Sequence, residues 1–107
     1  MKPSIVHYDL DTRLLKTFEY CKNSRFNGPQ TMYYIVDALN RYIHFYTKGK
    51  SINQVECIKY FNQNDKCKVR YNNIVERFSL NPMNETVRLL LIQSIYFEHF
   101  VENQVLI

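Results

Sequence analysis

The stretch Gln30-Thr31-Met32-Tyr33-Tyr34-Ile35-Val36-Asp37-Ala38-Leu39-Asn40-Arg41-Tyr42-Ile43-His44-Phe45-Tyr46-Thr47 decides the fold class. Met32, Ile35, Val36, Leu39, Ile43 and Tyr46 recur three and four apart, the period of one buried helix face and not the alternation of a half-buried strand. Lys48-Gly49-Lys50 then supplies a basic end and a residue free to leave the helix.

Upstream, Leu14, Leu15, Phe18 and Cys21 repeat with the same period behind Asp11, which predicts a helix over 11–23 capped by Asp11. Residues 1–10 read as an N-terminal arm, and residues 23–29, with Asn27-Gly28-Pro29, as a loop. Downstream, Ser51 with Gln54 or Asn53 with Glu56 has capping-box spacing, so a short helix is expected over 53–62. After the polar turn at residues 62–65, Tyr71, Ile74, Val75 and Phe78 predict a fourth helix. Asn81-Pro82 reads as a cap and first helical position, followed by Met83, Val87, Leu90, Leu91, Ile95, Phe97 and Val101. The run Leu89-Leu90-Leu91-Ile92 is apolar around most of the circumference, which suits a central helix.

Two glycines and three prolines in 107 residues are too few for the turns of a sandwich or barrel. The expectation is an all-α protein, one compact bundle of about five helices forming a single domain over 1–107.

No phosphate-cradling glycine loop occurs, nor a nucleophile with an adjacent base, nor metal-ligand spacing among Cys21, Cys57, Cys67 and the histidines His7, His44 and His99. The chain therefore reads as a non-enzyme without cofactor or metal. The cysteines read as reduced structural thiols, although Lys66 and Lys68 flank Cys67, and each histidine reads as an exposed side chain. With no spanning run and no signal-peptide core, no membrane partner and a cytoplasmic location are expected.

Charge is distributed unevenly. Residues 41–77 hold eight basic groups against Glu56, Asp65 and Glu76, a balance of +5, whereas the chain as a whole carries +4. A basic stretch of this kind faces a phosphate backbone or merely solvates helix ends. Most of the aromatics, among them Tyr42, Tyr46, Tyr71, Phe78, Phe97 and Phe100, occupy core-periodic positions, which leaves single-strand stacking a minor reading.

The segments Thr31 to Phe45, Lys50 to Phe61 and Thr86 to Val101 together resemble the SAM-like core-binding domain of phage integrases and other tyrosine recombinases, over residues 28–107. A stand-alone domain of this type is also similar to the small swarming-motility regulators of Bacillus, in Met1 to Val6 and from Arg41 through Asn62. The likeness fades toward the C-terminus. The 107 residues leave no room for a recombinase catalytic domain, so strand exchange is not expected. What the resemblance implies is a DNA-binding face on two helices. By that analogy Lys48, Lys50, Lys66, Lys68, Arg70 and Arg77 meet phosphates of double-stranded DNA, and Asn73, with Asn72, reads base edges. It also implies a transcriptional regulator or coactivator, working as a homo-oligomer or beside a transcription factor such as a response regulator. The alternative from another class is a phage or mobile-element adaptor or inhibitor that binds a host protein through a helical surface.

Overall fold

A computed structural model describes residues 9–23 and 28–105. They form five helices, α1 (Leu10–Asn23), α2 (Gly28–Thr47), α3 (Gln54–Gln63), α4 (Asp65–Arg77) and α5 (Glu85–Val105), with no strand among them. The all-α bundle expected from the periodicity is what the chain adopts.

Three helix starts differ from expectation. Asp9, not Asp11, caps α1: its carboxylate accepts from the Thr12 N–H at 3.2 Å and its carbonyl from the Arg13 N–H at 3.1 Å. A cap must precede the first helical residue, so Asp11 stands inside the first turn and is released for another use. Of the expected arm, residues 1–8 lie outside the described residues, while Leu10 is buried in the core. The expected loop loses Gly28 and Pro29 to α2, since proline needs no N–H partner in a first turn. Residues 24–27 lie outside the described residues.

The third difference is at α5. Asn84 caps it, its side chain accepting from the Val87 N–H at 3.0 Å and its carbonyl from the Arg88 N–H at 2.9 Å. Asn81-Pro82-Met83-Asn84 is instead a turn closed by the Asn84 N–H on the Asn81 carbonyl at 3.1 Å. Proline suits the second position of a turn as well as the first of a helix, and here the turn wins.

The connections on either side of α3 are tight. Lys48 and Gly49 both take left-handed backbone, at φ 54° and 79°. A Cβ on Gly49 would lie 3.2 Å from His44 Cε1, so glycine is required there on two grounds. At the other end a single residue, Asn64, joins α3 to α4. Its N–H closes α3 on the Phe61 carbonyl at 3.2 Å, and its side-chain oxygen caps α4 by accepting from the Cys67 N–H at 3.1 Å. Asn53 caps α3 by accepting from the Glu56 N–H, as one of the two expected pairs requires.

The middle of α5 is enclosed. Leu91, Ile92, Gln93, Ser94 and Ile95 are buried in succession, because α2, α3 and α4 all pack on this helix. The Ser94 hydroxyl donates to the Leu90 carbonyl at 2.7 Å, which satisfies its polar atom within the helix. α1 covers α2, and Phe18 of α1 stacks on Phe78 at the end of α4. None of these helices is long and apolar enough to cross a membrane.

Candidate nucleic-acid interface

The seven residues expected to touch DNA fall into three environments. Lys48 and Lys50 are exposed in the turn before α3, and Lys66 and Lys68 are exposed in the first turn of α4. None of these four forms an ion pair with a described residue. Asn73 is exposed further along α4, beside the exposed Asn72.

Arg70 is placed differently, and here the expected phosphate role meets a structural demand. Its Nε and NH2 donate to both oxygens of Glu98 on α5, at 2.9 and 2.7 Å, and NH2 lies 3.0 Å from Asp11 on α1. The guanidinium is held well above its ordinary pKa, chiefly by the hydrogen bonds to Glu98 and then by that carboxylate's charge and Asp11, against the opposing effect of burial. Arg70 thus ties three helices together. Arg77 is more exposed but leans the same way, 3.7 Å from Asp11 with its guanidinium over the Phe78 ring. The residue type and position that suggested a phosphate contact suit an internal clamp equally well, and only the approach of α1 and α5 distinguishes the two.

Helix geometry also divides α4. At 100° per residue, Lys66, Asn73 and Arg77 share one flank and Lys68 lies about 160° away on the other. Asp65, Val69, Asn72 and Glu76 form the outermost line between them, all exposed. An acidic residue near each end of that line makes the length of α4 a poor rail for a phosphate backbone.

α3 has the better surface. Cys57 and Phe61 point into the core, which leaves Val55, Glu56, Lys59, Asn62 and Gln63 exposed on its outer side, with a single acid among them. The lysines before α3 and those after it stand at opposite ends of ten residues, about 15 Å of helix. Lys59 was passed over in the sequence because it stands alone, and Asn62 and Gln63 because they read as the turn that ends α3.

A polar crevice lined by Asp9, Asp11, Lys66, Arg70, Glu98 and His99 lies between α1, α4 and α5. Its three carboxylates face Lys66, Arg70 and His99, and no described group of His, Cys, Asp and Glu is arranged to hold a metal ion. His99, expected on the solvent side, is half-buried, with Nδ1 2.5 Å from the Tyr60 hydroxyl, which also accepts from Asn64 Nδ2. Packing of α5 against α3 turns that side chain inward. His44 is exposed as expected, and His7 lies outside the described residues. All three cysteines are buried free thiols. Burial, reinforced by Glu98, pushes the Cys67 thiol up despite the flanking lysines, and burial does the same to Cys57.

Fold and surface define a five-helix bundle with lysines grouped about its shortest helix. No family model, curated protein or solved structure matches the chain.

Proposed function

We propose that the protein is a DNA-binding transcriptional regulator or coactivator without catalytic activity, and that α3 with its two flanking turns meets the duplex. The observation that carries this reading is the exposure of five lysines between residues 48 and 68: Lys48 and Lys50 before α3, Lys59 on its outer side, and Lys66 and Lys68 on the two flanks of the first turn of α4. A helix of about 15 Å is of the order of the ~12 Å major groove, so cations at its ends reach phosphates on either side. Asn62 and Gln63 supply amides of the kind that pair with adenine edges, and Val55 an apolar contact for a thymine methyl. Because one small domain binds DNA modestly, the protein works as a homo-oligomer or beside a partner such as a response regulator.

The test is binding to mixed duplex DNA across a salt series. Five phosphate contacts give a slope of log K against log salt of about −4.5. Replacing Lys48, Lys50, Lys66 and Lys68 by glutamine reduces that slope to about −1, with helicity unchanged by circular dichroism. A wild-type protein that binds no duplex at low salt ends this reading.

The second reading, an adaptor or inhibitor that binds a host protein through a helical surface, is favoured by the start of α5. Tyr33 of α2, 76% exposed, lines a depression there with Met32, Val36, Asn84 and Thr86, and Met83, just before α5, is 86% exposed. Such a surface gives protein binding that salt does not weaken.

A further inference from the structure

We propose that the groove between α1 and α2, away from the α3 surface, binds single-stranded nucleic acid. One wall carries Tyr34, Ala38, Arg41 and Phe45, a stripe at i, i+4, i+7 and i+11 along α2, and the other carries Arg13, Lys16 and Tyr20 of α1. Ala38 is 5% exposed, and its small side chain keeps the floor low. Two depressions that share Arg13 and Arg41 make the groove continuous, and from Tyr34 to Phe45 it runs about 16 Å.

Aromatic groups at its two ends flank a cationic middle. The Tyr20 and Tyr34 rings meet edge to face at 5.5 Å at one end, Arg13, Lys16 and Arg41 occupy the middle, and Phe45 lies at the other end. Tyr20, Tyr34 and Phe45 are 53%, 37% and 40% exposed, so each presents ring surface to solvent. Lys16 and Arg41 are its exposed cations, and they stand against one lining acid, Asp37, whose pair with Arg41 at 2.9 Å is exposed and correspondingly weak. A positively charged track with rings at intervals is what an unpaired strand requires, since its phosphates need cations and its bases offer flat faces for stacking. A duplex hides those faces, and an acidic peptide leaves the rings unused. The inference stands independently of duplex binding, because it rests on different helices.

The experiment is binding of the full chain to labelled oligothymidine of about twelve nucleotides, within the ~4–16 nucleotides that one small domain covers. The wild type shows a salt slope of about −1.4, from Lys16 and Arg41 at ~0.7 each, and Lys16→Gln with Arg41→Gln removes most of it. Tyr20→Ala and Phe45→Ala each weaken binding about tenfold, the loss of one stacked base. All four substitutions leave duplex binding as in the wild type, and the lysine variants around α3 leave oligothymidine binding within about twofold. Tyr20 is more than half exposed, so its variant carries the test if Phe45→Ala fails to fold. The proposal is overturned by absence of binding at low salt, by folded groove variants that bind as the wild type does, or by polyglutamate that binds as tightly as the oligonucleotide.

Discussion

Arg70 of α4 grips Glu98 of α5 with two hydrogen bonds, 2.9 Å from Nε and 2.7 Å from NH2, and the Glu98 side chain is only 11% exposed. A pair this enclosed costs more to break than a surface ion pair, because removal of one partner strands the other's charge. Arg70→Ala and Glu98→Ala each lose about 2–3 kcal/mol in urea unfolding. Arg70→Lys keeps the charge but not the fork, and falls between. Arg70→Glu sets three carboxylates together and does not fold. An Arg70→Ala protein as stable as the wild type contradicts the clamp.

The cap of α5 gives a sharper comparison between two asparagines three residues apart. Asn84→Ala removes the acceptor for the Val87 N–H and lowers stability by about 1 kcal/mol. Asn81→Ala removes only the exposed contact to the Met83 N–H and costs about 0.5 kcal/mol or less. Equal losses at the two positions contradict the placement of the helix start.

Alkaline pH weakens the fold through the buried thiols. Cys57 and Cys67 are held above their ordinary value of 9.0, so the folded state resists losing these protons while the unfolded state does not. Their contribution is intact below the unfolded value and is lost as pH rises through it toward the folded one. The melting temperature therefore stays level up to about pH 8 and declines above it. Replacing both cysteines by alanine flattens the decline. A wild-type curve level to pH 10.5 refutes this.

Lys48 separates stability from binding. Its φ of 54° is strained for a side chain that carries a Cβ, and glycine takes that conformation freely. Lys48→Gly raises stability by about 0.5–1 kcal/mol. The same change removes one of the cations flanking α3 and lowers the duplex salt slope by about 0.9. A variant that gains stability with its slope unchanged removes Lys48 from the interface.

The fold was legible because periodicity is local. The helical period of α2 follows from residue spacing and is found, with Ala38 and Tyr42 joining Ile35 and Leu39 at its buried centre, while the enclosed run of α5 falls at Leu91 to Ile95 and not at the expected Leu89 to Ile92. Helix starts were less legible, since Asp9 and Asp11, or Asn81 and Asn84, present the same cap chemistry to a reader of sequence. The interface was least legible. Lys48, Lys50, Lys66 and Lys68 are exposed as their type suggests, but the fate of Arg70 depends on Glu98, 28 residues away, and on Asp11. The α1/α2 groove left no signal, because Arg13, Lys16 and Tyr20 come together with Arg41 and Phe45 only when two helices pack.

The enclosure of α5 sets a schedule for synthesis. The first four helices are made before the element against which α2, α3 and α4 pack, so a nascent chain that ends near Leu80 has helices to form and nothing central to close on. Until Leu91 to Ile95 leave the ribosome, the apolar faces of α2, α3 and α4 remain open to chaperones and to one another. Assembly of this bundle therefore waits on the delivery of that one segment.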